Sequence, residues 1–253
     1  MQLDGTTAVV TGAASGLGAA GAAHLADGGA TVYGLDLEKA VADATTTSDS
    51  IRLLPADVTD DEQVRAALAQ IRDDGRELRL AVTCAGIAPS ARILSRTGPH
   101  DLDLFHTVLK VNLLGTFNVL RLAAEAMSTL DADDQGQRGV IVNTASIAAF
   151  EAQIGQIAYA ASKAGVAGMT VTAARDLAQH GIRVVTIAPG IVDTPMMAGF
   201  SDDVRSSLAA TVPFPRRLAQ PAEFARLVTM IVEHDYLNGE AIRMDGALRM
   251  APR

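Results

Sequence analysis

"TTAVVTGAASGLG", residues 6–18, decides the fold. A short run with strand propensity turns at a glycine and passes at once into small residues able to begin a helix. Glycines at 12, 16 and 18 permit a tight turn, close backbone approach to a ligand and close packing of helix on sheet. Ser15, Gly16, Leu17 and Gly18 open the helix, whose unpaired N–H groups attract an anion such as a pyrophosphate. A glycine-rich turn alone is weak evidence, but one lying between a strand and a helix is in the context that nucleotide binding requires.

Outward from this turn, apolar runs of strand length alternate with stretches of helical period. The runs are 6–11, 30–36, 51–57, 78–86, 139–146, 182–190 and 239–246. Near-continuous apolar strands separated by helices predict an α/β, doubly wound Rossmann fold: a parallel sheet of about seven strands with helices on both faces. Residues 60–72 read as a helix with acids in its first turn and Arg72 at its end. Residues 101–130 hold a helical pattern with Gly115 inside it, and a helix bearing Tyr159 runs to about Gln179, with Gly181 placed to stop it. The stretches 47–52 and 131–139 read as surface turns. No repeat or linker divides the chain, so one domain over 1–253 is expected.

Composition narrows the function classes. The chain has 253 residues, 49% of them hydrophobic, and 21 basic against 29 acidic residues, a formal net charge of −8. That balance offers no global field to attract nucleic acid or an anionic membrane. Cys84 stands alone and five histidines are scattered, so neither an internal disulfide nor a structural metal is expected. No run of 18 apolar residues suggests a membrane span. "MQLDGTTAVVTG" shows neither a signal peptide nor an Arg-rich presequence, and a cytoplasmic location is expected.

"AYAASKAG", 158–165, puts Tyr159 and Lys163 on one face of a helix. Alone, the pair reads more readily as a core-edge tyrosine and a lysine reaching for water. Ser146, 13 residues before Tyr159, ends a strand, and parallel strands place ligands at such ends. Asn112 lies inside the long helix. Taken singly, Ser146 reads as a cap and Asn112 as a polar helix residue. Together, in this order and beside a glycine loop, they suggest a catalytic set. Free tyrosine is only about 0.1% phenolate at pH 7, and a neighbouring ammonium would raise that share.

The Gly-x-x-x-Gly-x-Gly spacing, together with Tyr-x-x-x-Lys, resembles the short-chain dehydrogenase/reductase family. The resemblance implies hydride transfer to a nicotinamide cofactor, with Tyr159 as general base and Ser146 holding the substrate oxygen. Lys163 would tune Tyr159 and anchor the nicotinamide ribose, and Asn112 would position a water that relays the proton. Asp57 and Val58 would meet the adenine, an Asp-turn being the other reading of Asp57. "TCAG", 83–86, replaces the family's Asn-Asn-Ala-Gly, so Thr83 and Cys84 depart from the pattern, while Ala85 and Gly86 keep the close backbone approach. Pro189, Val192 and Thr194 would lie against the nicotinamide, and 191–218 would form an apolar lid shaping substrate choice. Asp36, 18 residues after Gly18, would accept bonds from the adenosine ribose and repel a 2′-phosphate, which favours NAD over NADP; it also reads as a helix cap.

"FNVLRLAAEAM", "GQRGVIVNTAS", "VPFPRRL" and "LNGEAIRMDGALRMAP" resemble the branch of the family that acts on 3-hydroxyacyl-CoA. That likeness implies NAD-dependent oxidation of short or branched 3-hydroxyacyl-CoA to 3-ketoacyl-CoA, a role in fatty acid metabolism and a homotetramer. Arg216 and Arg217 could meet CoA phosphates, though a solvated pair is the commoner arrangement. Three other readings stay open: a hydroxysteroid or other secondary-alcohol dehydrogenase, an acetoacetyl-CoA reductase, and an NAD-sensing binding protein without turnover.

Overall fold

β1 (Thr7–Thr11) is buried at every position, with Val9 in one core and Ala8 and Val10 in another. A strand covered on both faces has no polar side, so its sequence reads as an unbroken apolar run. The computed structural model describes residues 1–44, 48–197 and 199–252. After β1 come α1 (Gly16–Asp27), β2 (Thr31–Asp36), the short α2 (Glu38–Asp43), β3 (Ile51–Pro55), α3 (Asp61–Asp73) and β4 (Leu78–Thr83). A small antiparallel hairpin, β5 (Leu94–Ser95) with β6 (Gly98–Pro99), precedes α4 (Leu102–Leu109) and α5 (Gly115–Ser128). β7 (Gly139–Thr144), α6 (Ile157–Ala178), β8 (Ile182–Pro189), α7 (Asp202–Ala210), α8 (Pro221–Glu233) and β9 (Ala241–Met244) complete the order.

The seven-stranded sheet runs β3-β2-β1-β4-β7-β8-β9, with every pairing parallel. α1 and α8 cover one face through Leu25, Phe224, Val228 and Ile231. α3, α5 and α6 cover the other through Val64, Ile71, Val119, Met127 and Ala174. The strand order reverses beside β1, so a crevice opens at the carboxyl ends of β1 and β4, where doubly wound sheets take their ligands. This is the expected Rossmann architecture, with several strands one to three residues shorter than their apolar runs.

Three local features refine the reading. Asp60 caps α3, its Oδ1 accepting from Glu62 N (3.0 Å) and Gln63 N (3.1 Å). The helical stretch 101–130 is broken in register by a π turn at Lys110–Leu114, where Gly115 N–H reaches back to Lys110 O. Hydrophobic period does not reveal one extra residue in a turn, so the sequence shows only a continuous helix. The hairpin at 94–99 was not anticipated, its strands being too short to carry an alternating pattern. Thr47 of the expected turn 47–52, Ala198 of the expected lid and Arg253 lie outside the described residues.

The end of the segment 191–218 is fastened to α8. Arg217 donates from Nη1 to Glu223 Oε2 (2.7 Å) and from Nη2 to Oε1 (2.8 Å), and Gln220 N donates to Glu223 Oε2 (2.8 Å). Arg217 is thus committed to this fork. Arg217, Gln220 and burial's smaller opposing effect leave the Glu223 carboxyl at about 2, below its ordinary 4.5. Because the folded value is depressed, the contribution to stability is complete above about 4.5 and is lost as pH falls toward about 2. Glu223→Gln should therefore lower Tm at neutral pH, and its gap from the parent should close across that acidic range; a gap independent of pH in thermal melts would contradict the assignment.

Candidate active site

The glycine turn, α1 and the segment after β4 meet backbone to backbone. Gly12 has φ +66°, and a Cβ there would stand 2.9 Å from Ala85 N; on Gly18 it would stand 2.2 Å from Gly12 O. No side chain there can be larger without moving a strand or helix. Thr11 Oγ1 accepts from both Cys84 N and Ala85 N, each at 3.1 Å. Ala14 N donates to Asp36 Oδ2 and Leu37 N to Asp36 Oδ1, both at 2.9 Å, so the carboxylate at the end of β2 pins the glycine turn. It does not cap α2, whose N-cap is Leu37. Ser15 is the extended N-cap of α1 but its side chain makes no cap bond, which leaves first-turn N–H groups for another acceptor. Leu17 packs into the core beneath.

The segment after β8 lies over this turn: a Cβ on Gly16 would be 3.7 Å from Thr194 Cβ. Pro189 ends β8 in register with Met244. Val192 forms a parallel bridge to Ala219 that uses Ile191 O and Asp193 N, so its own N–H and C=O point the other way. Asp57 Oδ1 accepts from Thr59 N (2.8 Å), the Asp-turn geometry, and Val58 is buried with its carbonyl accepting from Asn118 Nδ2 (2.9 Å).

Ser146 follows β7 and caps a 3-10 turn, its Oγ accepting from Ala148 N (3.1 Å), so the hydroxyl hydrogen is left for another partner. Tyr159 and Lys163 lie on successive turns of α6, with Lys163 Nζ 5.8 Å from the Tyr159 ring centroid. Lys163 is only 4% exposed, and its Nζ donates to Thr144 O (2.8 Å). Asn112, fully buried in the π turn, accepts at Oδ1 from Ile87 N (2.8 Å) and donates from Nδ2 to Ile87 O (2.8 Å) and Ser162 Oγ (3.1 Å). A Cβ on Gly86 would stand 3.2 Å from Asn112 Oδ1 and 3.6 Å from Lys163 Nζ, so these groups converge at the end of β4.

Two expectations change here. Burial lowers Lys163 to about 8, and burial raises the Tyr159 phenol while the neighbouring Ser146 hydroxyl pulls it back. The Lys163 amine turns to the Thr144 carbonyl, so in this arrangement the Tyr159 phenol answers to burial and to Ser146. Both amide hydrogens of Asn112 are spent inside the protein, so its direct work is to join Ile87 to Ser162. The departures in "TCAG" have substitutes: Thr83 Oγ1 donates to Asn143 Oδ1 (3.0 Å), and Cys84 Sγ lies 3.5 Å from Thr144 Oγ1. Burial pushes the Cys84 thiol up to about 11, so it stays neutral. Sequence reading missed Thr11, Thr144 and Ser162. Ser162, three residues after Tyr159 on the same helix, carried the one available signal.

Among the described residues, no cluster of three or more His, Cys, Asp or Glu could hold a metal, and no helix is long and apolar enough to cross a membrane. The short chain dehydrogenase family model matches residues 6–205. The chain belongs to the short chain dehydrogenase family. It is therefore an oxidoreductase by family. This dehydrogenase is 51% identical over 255 residues to 3-hydroxyacyl-CoA dehydrogenase type-2 of Bos taurus, covering 99% of this chain and 98% of that protein. The Homo sapiens protein of the same name is 50% identical with the same coverage. The crystal structure of 3-hydroxyacyl-CoA dehydrogenase type-2 from Mycobacterium avium aligns with a TM-score of 0.91 at 39% identity, covering 98% of each chain.

Asn112→Ala removes three hydrogen bonds from a fully buried site and strands both polar groups of Ile87. It should cost about 2–4 kcal/mol of stability in urea unfolding; a variant as stable as the parent would show that Asn112 is no clamp.

Proposed function

We propose that this dehydrogenase oxidises the 3-hydroxyl of short- or branched-chain 3-hydroxyacyl-CoA to the 3-ketone, with NAD as hydride acceptor. The observation that carries the reading is the convergence of Ser146, Tyr159 and buried Lys163 beside the glycine turn, in a chain matching the named relatives from end to end.

The residues present fit a dinucleotide. Gly12 and Gly18 let the turn close directly on main chain, Gly12 against Ala85, Ser15 leaves the α1 N-terminus to an anion, and the outward N–H and C=O of Val192 suit a carboxamide. Bonds from Ala14 and Leu37 occupy one lone pair on each Asp36 oxygen, which leaves acceptor capacity for ribose hydroxyls and a charge that repels a 2′-phosphate. When bound, NAD supplies the site that receives the hydride. Ser146 donates its hydroxyl hydrogen to the substrate oxygen, and Tyr159 takes the alcohol proton. With one ammonium hydrogen on Thr144 O, Lys163 keeps two for the cofactor ribose and for passing a proton toward water. Asn112 keeps Ile87 and Ser162 fixed around that path.

The lid supports an acyl substrate. Asp193 and Arg205 tie the start of the lid to α7 at 2.6 Å, and Met196 and Phe200 remain exposed on it as an apolar surface for a short chain. Exposed Leu102, Leu114, Phe117 and Val171 support the further expectation that copies of the chain assemble into a tetramer.

Strong NADH formation from S-3-hydroxybutyryl-CoA, with little from NADP, is the expected result of initial-rate assays; absence of turnover in a protein that binds NADH would send the search to other secondary alcohols. Tyr159→Phe should lower kcat by about 10²–10⁴-fold while NADH binding, followed by fluorescence, is retained. Asp36→Asn should narrow the preference for NAD over NADP by about tenfold, read as the ratio of kcat/KM values; an unchanged ratio would remove Asp36 from the specificity argument.

A further inference from the structure

Ser146 and Tyr159 are joined by a segment that has little regular structure. Residues 147–149 make one 3-10 turn, closed by Ala149 N to Ser146 O (3.0 Å) and Phe150 N to Ile147 O (3.0 Å), and α6 begins only at Ile157. β7 and α6 hold the two residues from either end, but Ser146 Oγ accepts from Ala148 N within this segment, so the aim of its hydroxyl at the Tyr159 phenol also depends on what holds 147–156 from outside.

The C-terminal segment holds it. Arg243 is anchored in β9, in register with Ala188. Its Nη1 and Nη2 donate to Glu151 Oε1 (3.1 Å) and Oε2 (2.9 Å), and its Nε donates to Asp245 Oδ2 (2.6 Å). The same guanidinium lies 5.0 Å from the Phe150 ring centroid and donates to Leu248 O (3.1 Å). Arg249 Nε stands 3.4 Å from Glu151 Oε1, Ile154 N donates to Pro252 O (3.1 Å), and Ile147 is buried with Leu248. On the other side, Gly155 O accepts from Ala91 N (2.8 Å).

We propose that Arg243 and Glu151 are positioning residues whose paired hydrogen bonds fix the segment 147–156, and with it the geometry between Ser146 and Tyr159. The inference rests on the roles proposed above for those two residues. Magnitudes favour positioning over bulk stability. The Arg243 and Glu151 side chains are 21% and 34% exposed, and a partly solvated ion pair adds little to global stability. A two-pronged fork, however, fixes orientation, and a displacement of about 1 Å at reacting groups can cost about 10²-fold in rate.

The test uses Glu151→Gln, which removes the charge but keeps the shape, and Arg243→Lys, which keeps the charge but loses the fork. The Tyr159 phenol is titrated by tyrosinate absorbance, subtracting a parallel titration in the Tyr159→Phe background, so no substrate is needed. The groups beside that phenol, Lys163 on α6 and Ser146 after β7, are unaltered in both variants. Loosened positioning should raise the Tyr159 pKa by about 0.5, because the Ser146 hydroxyl no longer favours the phenolate. It should also lower kcat about tenfold with KM for NAD unchanged. A parental Tyr159 titration and kcat in both variants, whatever happens to Tm, would overturn the proposal. Absence of acyl-CoA turnover in the parent, with the titration still shifted in the variants, would overturn the substrate reading and leave the positioning intact.

Discussion

A parallel sheet roofed by helices on both faces can keep polar side chains cheaply only near its ends, and this constraint organises the molecule. Every pairing in the seven-stranded sheet is parallel, so all the carboxyl ends collect along one edge. Just inside that edge runs a row in register across four strands: Thr11, Thr83, Asn143 and Thr186. Its hydroxyls and amide are used locally. Thr11 receives two N–H groups, Thr83 donates to Asn143, and Thr186 lies 2.6 Å from Thr170 on α6. Asn143 Nδ2 is the unsatisfied atom of the row among the described residues. The row forms a transition from the apolar interior to the groups that do chemistry.

Lys163 shows what this arrangement costs. A nearly dry ammonium loses solvation, and the protein offsets that with a single carbonyl from the last residue of β7. The amine is therefore poised between its charged and neutral forms near physiological pH, held at about 8. Its position is fixed by backbone, not by a carboxylate partner. Such a group can give up or take a proton without breaking an ion pair, which suits it to the relay proposed for it.

The fold was largely legible because two-sided burial writes itself as apolar runs, and all seven main strands coincide with one. Asp36 stood out by its distance from the glycine turn and the juxtaposition of Tyr159 and Lys163 by their helical spacing, while the roles given to them came with the family resemblance. What remained hidden has particular physical causes. The π turn around Asn112 adds a residue without altering composition. The group that holds Lys163 is a main-chain oxygen, which every residue possesses. Arg243 and Glu151 lie 92 positions apart, and neither residue type marks a contact across such a separation.

Asp36 carries two duties on one carboxylate. It shapes the glycine turn through Ala14 and, in the proposed reading, selects the sugar that the turn receives. Cofactor choice and loop order are consequently not independent traits in this chain. A lineage drifting toward a phosphorylated cofactor could shed the charge through an amide, whose oxygen still accepts from Ala14 N–H, but a side chain without an acceptor would unfasten the turn in the same step. The replacements open at this position are therefore limited to residues that keep an oxygen facing Ala14.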